Sequence, residues 1–191
     1  DSPVCWQKGE IVIERLSAVD GRKMSVSELQ EWRQDKSQRA FWDWTTHELR
    51  PGEIGCFLSH RKFWERVVQD KLSHAFVLED DILFSDDIFK MFSSEAWIPS
   101  NADFIKLNLF PTNKAHTYPV GESQGLVCGR EIRRTVGRIY GTGCYVISFD
   151  AARECLKHSE KMALPVDLFM FDSRFDFASR KIIYTVLPGV A

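Results

Sequence analysis

The stretch that most constrains this chain is Ala75-Phe76-Val77-Leu78-Glu79-Asp80-Asp81-Ile82, four apolar residues that run into three consecutive carboxylates. An apolar run bounded by polar residues has the pattern of a strand covered on both faces, as in the centre of a parallel sheet. In open α/β sheets the ligand crevice lies just beyond the carboxyl ends of the strands, which is where these acids fall. Period-two alternation sends Glu79 and Asp81 to one side and Asp80 to the other. Two converging carboxylates repel unless something positive lies between them. A hard divalent cation, Mn²⁺ or Mg²⁺, meets that need and commonly brings a diphosphate with it. The competing reading is an acidic strand end followed by a capped helix, with Ser85-Asp86-Asp87 opening a helix through Ile88, Phe89 and Phe92. Capping accounts for residues 85–87 and leaves Glu79 to Asp81 unexplained.

The rest of the composition narrows the class. With 191 residues, 44% hydrophobic and 27% charged, the chain reads as one globular domain over 1–191. A net charge of −2 without a basic tail gives no electrostatic case for a nucleic-acid partner. No apolar run approaches the roughly 18 residues of a membrane span, and the first residues lack the pattern of a signal peptide. The five cysteines are scattered, without a C-x-x-C pair, so reduced and mostly buried thiols of a cytoplasmic protein are expected.

Along the chain, Ile11 to Leu16 reads as a short strand, closed by the turn Ser17-Ala18-Val19-Asp20-Gly21-Arg22. Asp20 is then either a turn residue or a ligand at a strand end. Ser25-x-x-Glu28 is a capping-box pattern for a polar helix to about Asp35. Phe41, Trp42 and Trp44 admit packing or a sugar-stacking surface. Pro51 at a first helical position and Glu53 at the third start a second helix after Arg50. Helical projection from Ile54 to Leu72 puts Phe57, Leu58, Trp64, Val67, Val68 and Leu72 on one apolar arc. His60 falls within the arc and Ser59 towards the polar face, so His60 reads as a hydrogen-bonded core residue or as part of a site. Strand, helix and the Ala75 strand make a βαβ unit. Further strands are expected over 103–108, 143–148 and 181–187. Between Leu109 and Tyr140 periodicity is lost, and Arg130, Arg133, Arg134 and Arg138 there either meet an anion or line the wet face of a hairpin. Asp167, at a helix start after Pro165, is a cap or a general base.

These blocks resemble glycosyltransferase family 25, which includes bacterial lipooligosaccharide galactosyltransferases and the collagen galactosyltransferases. The resemblance rests on residues 17–22, on Pro51-Gly52-Glu53-Ile54-Gly55-Cys56-Phe57-Leu58-Ser59-His60 with Trp64, and on Val77 to Ile82. Tyr145 to Ser148 with Ala151, and Pro165-Val166-Asp167, extend it over most of the chain in the right order. It implies an α/β fold of the GT-A type with a mostly parallel central sheet flanked by helices. It also implies inverting transfer of galactose or a related hexose from a UDP-sugar to a hydroxyl of a lipooligosaccharide or lipopolysaccharide acceptor on a lipid carrier. On that reading Asp20, Ser59, His60, Glu79, Asp80 and Asp81 bind the donor. Asp81 and Glu79 hold Mn²⁺ or Mg²⁺, and Asp167 is the catalytic base. The enzyme is then expected in the cytoplasm, at most peripheral at the inner face of a bacterial inner membrane. A catalytically silent carbohydrate-binding or assembly subunit of the same fold is the alternative.

Three departures qualify the resemblance. Only ten residues precede Ile11, so part of the family's N-terminal segment is expected to be absent. The helix cap, commonly Thr or Ser in the family, is Arg50 here. After Leu187 no His or Asp is available as a late metal ligand.

Overall fold

The computed structural model describes residues 4–7, 10–33, 48–108 and 117–190; Phe41, Trp42 and Trp44 lie outside them. The acid-bearing stretch forms strand β3 (His74–Leu78), with Ala75, Phe76 and Val77 all buried. Ala75 and Val77 enter one apolar cluster and Phe76 another, because successive side chains leave opposite faces of a strand. The first cluster takes the apolar sides of helices α2 (Pro51–Gln69), α4 (Phe149–Lys157) and α5 (Val166–Phe171). The second takes α3 (Asp87–Phe92) and the segment around Trp97 and Ile98. Helices thus cover both faces.

The described strands join one sheet. Its order runs β2 (Glu10–Ile13), β1 (Val4–Gln7), β3, β8 (Cys144–Ser148), β4 (Phe104–Lys106), β9 (Ile183–Leu187), β7 (Arg130–Gly137) and β5 (Thr117–Val120), with β6 (Leu126–Val127) also paired to β7. The expected mostly parallel sheet is not what forms. Among the described pairs of strands only β4 and β9 run parallel; β3 lies between β1 and β8, antiparallel to both. The strands expected around Ile11, Ala75, Ile105 and Ile183 do all run the same way. Antiparallel β1 separates β2 from β3, and antiparallel β8 separates β3 from β4. The βαβ unit is therefore interrupted. An apolar run reports that both faces are covered, and covering helices do not fix the direction of the neighbouring strand.

Local signals behave more simply. Ser25 caps α1 (Val26–Trp32) in a full capping box with Glu28. At α2 the Arg50 amide donates to Glu53 Oε2 at 2.6 Å, the half of the box that needs no cap side chain, and Pro51 takes the first position. The helix ends at Gln69, and Lys71 follows at φ 54. Ser148 caps α4 through the Ala151 amide. The turn over 17–22 packs directly on α2: a Cβ on Gly55 would lie 2.6 Å from both Gly21 N and Val19 O. Glycine at 55 is a condition of that backbone approach.

Residues 117–137, aperiodic in sequence, form the twisted hairpins of β5, β6 and β7. Three of the four arginines in question are engaged within the fold. Arg130 donates to the Pro188 and Gly189 carbonyls and to Asp87. Arg133 pairs with Glu131, and Arg138 with buried Asp172. Arg134 is exposed on β7. Of the four cysteines whose side chains are described, Cys144 and Cys155 are buried, whereas Cys56 and Cys128 are exposed; all four are free thiols. The expectation of mostly buried thiols thus holds for half of them. No helix among the described residues is long and apolar enough to cross a membrane.

Candidate functional site

Strand β3 ends at Leu78, and the chain turns at Asp80 and Asp81. Alternation runs on through Glu79 and stops at this turn, and Glu79, Asp80 and Asp81 all line one recess of about 200 Å³ instead of dividing between two faces. Ala18 and Val19 of the glycine turn and Cys56, Ser59 and His60 of α2 form its other wall. Asp80 and Asp81 are exposed, with no hydrogen-bond or ion-pair partner among the described residues.

Glu79 is held differently. It continues the Ala75 and Val77 side of β3, the side that α2 covers, and its Oε1 accepts from Thr142 Oγ1 at 2.6 Å and lies 3.2 Å from His60 Nε2. Loss of hydration raises its pKa, but the bonds from His60 and Thr142 outweigh it and hold the carboxyl below its usual value. His60 is buried, 2.9 Å from the Tyr145 hydroxyl, which also accepts from Trp64 Nε1 at 3.2 Å. A carboxylate only accepts, so the imidazole proton facing Glu79 sits on Nε2. Nδ1 is then free to accept the buried Tyr145 proton, and every member of the chain Trp64, Tyr145, His60, Glu79 is satisfied. His60 is thus at once a core residue and a wall of the recess.

The remaining expected residues separate. Ser59 lines the recess, yet its hydroxyl donates to Gly55 O and accepts from the Val19 amide, both at 2.8 Å, so it ties the glycine turn to α2. Asp20 is not among the recess-lining residues: it caps a 3-10 turn, accepting from Arg22 N and Nε at 3.1 and 3.2 Å. The bond from the Arg22 backbone, foremost, holds its pKa low. Asp167 is the second residue of α5 and not its cap; Oδ2 accepts from Gly141 N and Oδ1 from Leu168 N, each at 2.9 Å. It lies outside the recess but on the same face of the sheet, close enough for its charge to act on Cys56 and Lys106.

Two groups went unrecognised in the sequence. Lys106 is fully buried on β4, where it donates to Asn108 Oδ1 at 2.8 Å and Gly141 O at 2.6 Å and lies 5.0 Å over the Phe171 ring. Burial brings its pKa down to about 8. Its only sequence signal is a lysine inside the apolar run Phe104 to Leu107. Thr142, between two glycines, reads as loop and nothing more.

Three carboxylates offer hard oxygen donors to a divalent cation such as Mn²⁺ or Mg²⁺, and Glu79 Oε2 accepts no hydrogen bond among the described residues. A second donor set, Cys56, His60 and Glu79, has its ligand atoms within 4.8 Å of one another. There the His60 nitrogen carries a proton, and partial loss of hydration in the recess wall together with the charges of Glu79 and Asp167 raises the pKa of the Cys56 thiol, although the residue keeps an exposed surface. Oxygen ligation is the better fit.

Fold and recess together define an α/β domain with a carboxylate-lined recess beyond the end of a central strand. The chain belongs to glycosyltransferase family 25: residues 5–170 match the family described as "Glycosyltransferase family 25 (LPS biosynthesis protein)". It is similar to "Inactive glycosyltransferase 25 family member 3" of Mus musculus, 32% identical over 87% of this chain and 28% of that protein. It is similar to "Lipooligosaccharide biosynthesis protein lic2B" of Haemophilus influenzae, 25% identical over 75% of this chain and 54% of that one. "Procollagen galactosyltransferase 2" of Mus musculus is 36% identical over 39% of this chain and 12% of its own length. The chain thus spans little more than half, and mostly under a third, of these relatives.

Proposed function

We propose that this domain transfers galactose or a related hexose from a UDP-sugar to a hydroxyl of a lipooligosaccharide-type acceptor, working in the cytoplasm or at a membrane's cytoplasmic face. The observation that carries the reading is the recess at the end of β3, where Asp80 and Asp81 are exposed, without a hydrogen-bond or ion-pair partner among the described residues, beside a fixed Glu79. Asp81 and Glu79 would hold Mn²⁺ or Mg²⁺, which when bound supplies positive charge against that developing on the departing diphosphate. Glu79 is kept ionised and aimed by His60 and Thr142. Asp167 would take the acceptor proton, and a single displacement at the anomeric carbon would invert its configuration.

The test is UDP release from a panel of UDP-hexoses with Mn²⁺ and an oligosaccharide acceptor, for wild type and Asp81→Asn. Turnover by the wild type that is lost in a folded Asp81→Asn variant is the expected result. Names of relatives that include the word inactive favour a second reading, a silent carbohydrate-binding or assembly module. Mn²⁺-dependent UDP binding with no turnover of any donor would establish that reading and overturn the first.

A further inference from the structure

The loop Gly141–Gly143 touches both carboxylates to which the proposed transfer assigns work. Thr142 Oγ1 donates to Glu79 Oε1, and the Glu79 amide donates back to Gly143 O at 2.8 Å. Gly141 N donates to Asp167 Oδ2 at 2.9 Å. The same Gly141 turns its carbonyl to the Lys106 ammonium at 2.6 Å, and Asn108 Oδ1 accepts both from Lys106 and, at 3.1 Å, from the Cys144 amide that follows the loop. At Gly143 a Cβ would lie 1.9 Å from Ile82 Cδ1, so the loop also sits hard against the residue after the acidic triplet.

A buried ammonium is a costly way to fill this space. An apolar chain of similar length would pack on Phe171 without desolvating a charge, and among the described residues no carboxylate contacts Nζ directly to offset the cost. What the ammonium does make is a charge-assisted hydrogen bond to the one loop carbonyl whose own residue also binds Asp167.

We infer that Lys106 is a positioning residue: its ammonium anchors the Gly141–Gly143 loop, and the loop holds Glu79 and Asp167 in fixed relation to one another. The inference rests on the proposed transfer for the roles of those two acids. The loop makes donor binding and proton acceptance depend on one anchor, so loosening it disturbs both, whereas loosening Thr142 alone disturbs the Glu79 side.

The experiment compares Lys106→Met, Thr142→Val and Thr142→Ser with wild type in UDP-sugar turnover and in amide exchange at Glu79 and Gly141. Thr142→Val raises KM about tenfold, the worth of one hydrogen bond to a charged group, with kcat little changed, and Thr142→Ser restores wild-type behaviour. Lys106→Met raises KM and lowers kcat, each about tenfold. Exchange at both amides speeds at least tenfold in Lys106→Met while the β3 interior stays protected. Unchanged exchange at Gly141 and Glu79, or unchanged KM and kcat in Lys106→Met, overturns the inference. If wild type turns over no UDP-sugar the proposed function fails, and exchange still decides the anchor. Should Lys106→Met not fold, Lys106→Gln, which removes the charge and shortens the reach to Gly141 O, is read at the same two amides, with faster exchange expected and unchanged exchange overturning.

Discussion

Replacing Lys106 with Met should change how stability depends on pH. Burial brings the Lys106 pKa from 10.5 down to about 8, against the weaker pull of Cys144, Glu79 and Asp167 in the other direction. Between these values the unfolded chain binds more protons at this position than the folded one, so its contribution makes stability rise with pH. Below about pH 8 both states hold the proton, and the folded protein carries the full cost of an interior charge. At roughly 1.4 kcal/mol per pH unit, the window from about 8 to 10.5 amounts to about 3 kcal/mol, of which about 2 kcal/mol falls between pH 8 and pH 9.5. The buried Cys144, Cys155 and Tyr145 have raised pKa values and oppose this trend in absolute stability as pH rises past their unfolded values. Those groups are shared by wild type and variant, so the difference between the two isolates the lysine. The assay is urea unfolding of both proteins at pH 7, 8, 9 and 9.5. Wild type should gain on Lys106→Met by about 2 kcal/mol across that range, almost all of it above pH 8. A difference that stays flat would refute the burial of a titrating ammonium under the Gly141 loop.

Three further outcomes are expected. Gly55→Ala drives a Cβ into the Gly21 and Val19 backbones at 2.6 Å, neither of which can rotate away, and should cost on the order of 2 kcal/mol by thermal or urea unfolding. His60→Ala takes the acceptor from the buried Tyr145 hydroxyl and a donor from Glu79; a loss on the order of 3 kcal/mol together with weakened Mn²⁺-dependent UDP binding is expected, and loss of only one of the two would show that His60 serves only the core or only the site. Asp167→Asn turns an amide N–H₂ towards one of two backbone N–H donors, so it should lose about 1 kcal/mol of stability and, if Asp167 is the base, most of kcat with UDP-sugar affinity nearly unchanged; full activity would rule out the base.

Much of this site lies in single stretches of sequence. Whereas the need for glycine at 55 comes from the Gly21 turn that tertiary structure lays against it, the apolar run ending in Glu79-Asp80-Asp81 and the capping signals at Ser25 and Glu53 act through neighbours a few residues away, and local chemistry decides them. His60 and Trp64, four apart on one helix face, could be placed together for the same reason. Strand direction could not. An apolar strand carries the same side chains whichever way its partner runs, and β1 and β8 entered between same-direction strands through pairings that only the whole chain defines. The end of alternation after Glu79, which gathers all three acids into one recess, is likewise set by where the segment leading into β8 stops pairing with the end of β3. Tyr145 reaches His60 across 85 positions and Thr142 reaches Glu79 across 63, and a hydrogen bond between residues so far apart leaves no periodic trace in either segment. Lys106 was visible only as an oddity in an apolar run, because what makes a buried charge tolerable is the set of carbonyls that tertiary structure brings to it.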